Sequence, residues 1–173
     1  MLRLALPADI PEMEKLLQSS VSQLSIGYYT PQQIRSSLQY LFGVDSQLIR
    51  DGTYMIYEKE GRMAACGGWS KRHTLYGGDQ YKPTLDPFLD PALHAARIRA
   101  FFVHPDFARQ GIGRQMIQAC QEAARQAGFS RFELGSTLPG VPLYRAMGYR
   151  ECDRQEITFP DGVLFPIIRM CKP

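Results

Sequence analysis

The stretch that most constrains this chain is Phe101 to Met116, FFVHPDFARQGIGRQM, in which an apolar strand stops and a helix starts. Phe101, Phe102 and Val103 form a short apolar run suited to a strand covered on both faces. Pro105 removes a backbone donor and pushes His104 into an extended conformation, so the strand ends there. Gly111 and Gly113 lack Cβ atoms and let a ligand approach the main chain. The amides that follow point along the new helix axis, and its positive end favours an anion. Arg109 and Arg114 add two permanent charges, so the run Arg109, Gln110, Gly111, Ile112, Gly113 and Arg114 reads as a pyrophosphate cradle. The bland alternative is a turn beside a solvated basic edge. Other phosphate motifs fit less well: a dinucleotide fingerprint needs a glycine where Met116 stands, and a P-loop needs Gly-Lys followed by Ser or Thr.

At 173 residues and 45% hydrophobic content, a single domain spanning 1–173 with a substantial core is expected. No apolar run approaches the roughly 20 residues that cross a bilayer, and a net charge of +3 is too mild to argue for nucleic acid. Cys66, Cys120, Cys152 and Cys171 are scattered without a C-x-x-C pair, no disulfide is required, and no signal peptide is evident. A reducing cytoplasmic location is therefore expected. His73, His94 and His104 lack ligand spacing, so no metal is expected.

Periodicity outlines the remaining elements. Leu2 to Leu6 reads as a strand, and Asp9 with Glu12 as a capping box opening a first helix. Thr30, Pro31 and Gln33 open a second helix carrying Ile34, Leu38, Leu41 and Phe42 on one face. Thr53–Lys59 and Arg62–Ser70 form a hairpin around Glu60-Gly61. Residues 74–96, rich in Gly and Pro, read as a long connection and a candidate lid or substrate loop. Ile112, Met116, Ile117, Cys120 and Ala124 share one face of a helix ended by Gly128. A strand over 130–136, a short helix over 142–147 and two closing strands around Pro160-Asp161-Gly162 complete the chain.

Two blocks resemble the GNAT N-acetyltransferase superfamily. VHPDFARQGIGR is similar to its acyl-CoA motif, often written Q/R-x-x-G-x-G/A, with Ala108 at the first position and the basic residue displaced to Arg109. PLYRAMGY, Pro142 to Tyr149, is similar to its tyrosine-bearing helix, which places Tyr144 on that tyrosine. Where many members have an Asn seven residues earlier, this chain has Thr137. The resemblance implies a mixed α/β fold with a mostly antiparallel sheet of about seven strands, one splayed parallel pair and about four helices. It also implies acetyl-CoA as co-substrate, with the pantetheine arm along Phe101, Phe102 and Val103 and beside Thr137. A primary amine of a small molecule or peptide would attack the thioester directly, a main-chain amide would hold the oxyanion, and Tyr144 would serve the departing thiolate.

The base is not dictated by the residues. Glu133, His73, Asp79 and His104 are candidates, although Glu133 could equally pair with Arg97 or Arg99, and water could carry the proton. Cys66 and Cys120 lack activating neighbours, which argues against an acetyl-cysteine route. Tyr28, Tyr29 and Trp69 could line an acceptor pocket, with Tyr40 and Leu75 behind them, or serve as core. The partners expected are the amine acceptor and, as an assembly, a homodimer. The alternative function is a non-catalytic acyl-CoA sensor or interaction module.

Overall fold

The computed structural model describes residues 1–173 as one seven-stranded sheet with helices on both faces. The strands are β1 (Leu2–Leu4), β2 (Tyr54–Lys59), β3 (Arg62–Ser70), β4 (Ala96–Val103), β5 (Phe132–Ser136), β6 (Arg150–Thr158) and β7 (Leu164–Lys172), in the order β1-β2-β3-β4-β5-β7-β6. Every neighbouring pair is antiparallel except β4 and β5. That parallel pair holds register only at Ala96↔Phe132 and Arg97↔Glu133 and then splays apart.

The helices are α1 (Ile10–Leu24), α2 (Pro31–Tyr40), α3 (Ser46–Arg50), α4 (Ile112–Gln126) and α5 (Val141–Ala146). The short α3, capped by Asp45 accepting from the Gln47 amide at 2.9 Å, is one more than the sequence leads one to expect. Helix α1 covers β2 to β4 on one face through Met13, Leu16 and Leu17; α4 covers the other through Met116, Ile117 and Cys120. Helix α2 closes on β6 and β7 around Leu41, Phe159 and Phe165.

Local chemistry explains several boundaries. At α2 the Thr30 hydroxyl accepts from the Gln33 amide and the Gln33 side chain accepts from the Thr30 amide, at 3.1 and 2.9 Å. Glu60 and Gly61 both take positive φ, 54° and 70°, the geometry that turns β2 into β3. Asp9 acts differently from the expected cap: its carboxylate accepts from the Leu6 amide behind it and pairs with Arg3, so Glu12 completes no box. β4 begins at Ala96, the last residue of the segment read as loop, and carries Arg97 and Arg99, whose charges find partners within the fold. The cysteines also differ from expectation, since Cys152 and Cys171 form a disulfide between β6 and β7 where the register shifts. No helix is long and apolar enough to cross a membrane, and no group of three potential metal ligands is present.

Candidate active site

β4 carries an irregularity that creates the site. Between Cys66↔Phe102 and Gly68↔Arg99, Gly67 on β3 faces two residues, Ala100 and Phe101, and Ala100 takes φ 56°. This is a β-bulge, which reverses the alternation of side chains along the strand. Ile98 packs toward α4 and Arg99 toward the opposite face; beyond the bulge Phe101 and Val103 face α4 while Phe102 lies under α1. Gly67 is required there, because a Cβ on it would stand 2.8 Å from the Phe101 ring. The His104 amide bonds the Ala64 carbonyl, so by alternation the Phe102 amide also points to β3 and the Phe101 and Val103 amides point away from it. They face the gap left by the splay from β5.

At the end of β4 the chain passes through Pro105–Phe107 to the start of α4. Arg109 and Gly111 both adopt positive φ, 64° and 81°, with Gly111 as the N-terminal cap. From Arg109 through Arg114 no backbone N–H has an acceptor within the protein. Such a series of turned amides at a helix start is an anion nest. Arg109 and Arg114 are exposed and take part in none of the ion pairs. These amides without protein acceptors, with two unpaired cations beside them, fit the diphosphate of coenzyme A.

A cleft of about 630 Å³ runs from this nest along β4, through the splay and out beneath α1 and the loop after β3. Tyr144 on α5 and Thr137 stand on its wall, as do Phe101, Phe102 and Val103. The Tyr144 ring is half-buried against Tyr149, and its hydroxyl has no protein partner and opens to the cleft. Burial pushes that phenol well above its ordinary pKa, so it stays protonated at neutral pH.

Several expected residues lie elsewhere. Gln110 keeps its amide in the nest, but its side chain turns outward to accept from Lys59 at 2.6 Å. Glu133 does not line the cleft; its carboxylate is held by Arg97 at 3.0 Å and Arg169 at 2.9 Å. Trp69 packs edge-on against Phe129 in the core under α4, away from the cleft. Tyr29 stacks on Phe165, donates to the Pro166 carbonyl and accepts from the Leu138 amide, tying the α1–α2 turn to β7. Only Tyr28 of the three aromatic candidates reaches the cleft, joined by Leu75. His73 and His104 are also outside it, the latter accepting from the Asp106 amide. Burial pushes the Cys66 and Cys120 thiols up to about 12, where they are not nucleophilic.

Residues not singled out from the sequence line the end of the cleft beneath α1. Leu24, Phe42, Tyr76 and the buried Arg99 line it. Arg99 donates to Asp45 at 3.0 Å and to the Gly77 carbonyl at 2.6 Å. The Gly67-Gly68 pair inside a strand pattern was the available signal for the bulge.

A family model described as the acetyltransferase (GNAT) family matches residues 16–149. The chain belongs to the GNAT acetyltransferase family. Solved structures agree in fold. A GCN5-related N-acetyltransferase from Rhodopseudomonas palustris superposes with a TM-score of 0.74 at 17% identity, over 99% of this chain and 94% of that one. The paia N-acetyltransferase of Thermoplasma acidophilum, in complex with coenzyme A, gives 0.64 at 10% identity over 99% and 97%. The putative acetyltransferase yncA of Salmonella typhimurium, with acetyl-CoA, gives 0.62 at 13% identity over 99% and 91%. A search of curated proteins finds no significant match.

Proposed function

We propose that this protein is an acetyl-CoA-dependent N-acetyltransferase that acts on a small primary amine by direct attack in a ternary complex. The observation that carries the reading is the single cleft joining a row of amides without protein acceptors at α4 to an unpartnered tyrosine hydroxyl, by way of a bulged strand edge.

Acetyl-CoA, when bound, supplies the acetyl group as a thioester. The amides from Arg109 to Arg114 grip the diphosphate, with Arg109 and Arg114 adding charge. The outward amides of Phe101 and Val103 bond the pantetheine arm, and one of them stabilises negative charge on the acyl oxygen. Tyr144 holds its proton because its phenol is pushed upward, and its O–H donates a hydrogen bond to the departing sulfur, which leaves as a thiolate and takes its proton from water. A C–N bond forms as the C–S bond breaks, and the amine proton leaves to water. The two buried thiols cannot accept the acetyl group in passing, which favours direct transfer over a cysteine intermediate.

Size of the acceptor follows from the walls. The Leu75–Gly78 stretch of the 74–96 loop is held over the cleft by the Gly78 amide bonding the Leu41 carbonyl and by Tyr76 donating to Gln155. On the other side Tyr29, Gln33 and Ser36 bond the β6–β7 hairpin and leave no open groove for an extended chain there. Both features support a small metabolite over a peptide, with the loop acting as a wall of the acceptor site. The free Tyr144 hydroxyl favours transfer over a binding-only sensor, which has no use for it.

Calorimetry with acetyl-CoA, followed by thiol release across an amine panel, tests the proposal. Association and amine-dependent thiol release are expected. Association without release would leave only the sensor, and no association would remove both.

A further inference from the structure

Acylation needs an uncharged nitrogen, whereas an alkylamine of pKa about 10 is almost wholly ammonium at neutral pH. The cleft offers that cation no carboxylate. Its 32 lining residues include no Asp, Glu, His or Lys, and its charged members are Arg99, Arg109 and Arg114. The remaining titratable groups that face it are Tyr28 beyond α1, Tyr76 in the loop and Tyr144 on α5. Burial pushes the Tyr76 hydroxyl up to about 12 and Tyr144 higher, so neither is an anion near neutrality.

Carboxylates close to the acceptor end are already committed. Glu133 is shared by Arg97 and Arg169, Asp79 accepts from the Ser46 amide, and Asp86 accepts from the Thr74 amide. Asp45, behind the wall, is bound by Arg99 and by Lys82, at 3.0 and 2.6 Å. The side chains of Asp45 and Arg99 are each 1% exposed and that of Lys82 10%. Arg99 and Lys82 therefore share the Asp45 carboxylate, with Asp86 the next negative charge acting on Arg99, and these carboxylates lie behind a pocket walled by Leu24, Phe42, Leu75 and Tyr76. The Arg99 Nε–H has no partner at all. A cation entering this space loses its hydration, meets like charge and finds no counter-ion.

Resting on the N-acetyltransferase reading, we propose that the acceptor is a small apolar or aromatic monoamine that enters as the free base, and that the Arg99–Asp45–Lys82 cluster excludes amines carrying a second positive charge. Deprotonation then happens in bulk water, and the enzyme contributes a site that takes only the neutral form. Two consequences separate this from a site with its own base. The pH at which kcat/KM levels off follows the acceptor: about 8 for an α-amine and about 10 for an alkylamine. A diamine is also a far poorer acceptor than the monoamine of the same length.

The test uses the full-length enzyme, acetyl-CoA and thiol release with pentylamine, cadaverine, phenethylamine and phenylalanine amide, with acetyl-CoA affinity measured separately. Pentylamine is expected to exceed cadaverine in kcat/KM by on the order of a hundredfold. The profile for phenylalanine amide is expected to level off about two pH units below that for phenethylamine. Lys82→Gln, checked for an intact melting transition, is expected to narrow the pentylamine–cadaverine gap several-fold. Equal or better use of cadaverine, one common inflection for both aromatic amines, or a gap unchanged in Lys82→Gln overturns the inference while the transferase reading stands. Acetyl-CoA binding with no release from any amine overturns the transferase reading and this inference with it.

Discussion

Asp45→Asn is the perturbation that most directly probes how this site is held. The Asp45 carboxylate accepts from Arg99 at 3.0 Å, from Lys82 at 2.6 Å and from the Gln47 amide at 2.9 Å, with 1% of its side chain exposed. Asparagine has the same shape and caps a helix as well as aspartate does, so α3 keeps its cap. What disappears is the charge, and two buried cations are left without a counter-ion. Breaking a buried pair in this way costs about 3–5 kcal/mol. In a domain of this size each kcal/mol lowers Tm by about 2–4 °C, so a fall of about 6–20 °C is expected. Lys82→Met alone leaves Arg99 and Asp45 paired one to one and strands no buried charge, so it should cost less than Asp45→Asn. Adding it to Asp45→Asn removes one of the two stranded cations and should recover stability. Calorimetric melts of the four proteins read the coupling directly. A loss below about 2 °C for Asp45→Asn, or simple additivity in the double variant, would refute the reasoning that the cluster is a charge-sharing unit.

Tyr144→Phe removes the open hydroxyl and little else. A fall in kcat of about a hundredfold or more, with acetyl-CoA affinity unchanged by calorimetry, is expected if chemistry limits turnover. Gly67→Ala places a methyl group 2.8 Å from the Phe101 ring, so the bulge must shift; kcat should drop more than coenzyme affinity does, and an unaffected kcat would count against the bulge as the acyl site. Asp51 is a pH probe. Burial raises its pKa, but the Arg72 guanidinium, at 2.7 and 2.9 Å, and Gln47 outweigh that and hold it below the ordinary value. Its contribution is thus complete above pH about 3.9 and is lost as pH falls through the lower folded value. Arg72→Met should lower stability at neutral pH and flatten acid unfolding below pH about 4; an unchanged acid limb would sink this assignment.

Elements whose signals lie within three or four residues were legible from the sequence. The Thr30-Pro31-Gln33 box opens α2, Glu60-Gly61 turns the hairpin, and the cap at Gly111 starts α4. Each rests on backbone geometry that a few neighbouring side chains dictate. The pairing of Glu133 with Arg97 was among the readings the sequence left open, whereas that of Arg99 with Asp45 was not legible, because the two lie 54 positions apart. Asp9 was misplaced for a similar reason: its carboxylate had a better partner in Arg3 than in the helix end. The pairing of Cys152 with Cys171 depends on the register of β6 against β7, which no cysteine spacing discloses.

The amino-acid order therefore dictated the family, the succession of strands and helices, and the nest at α4, all of which are carried by short runs of residues. Folding in three dimensions assigned the faces. It sent Trp69 and Glu133 away from the cleft, brought Tyr28, Phe42 and Tyr76 into it, and set Arg99 beneath it. The physical reason is the bulge at Ala100: one extra residue exchanges the two faces of β4 beyond that point, and the partners that decide which side is buried arrive from distant parts of the chain.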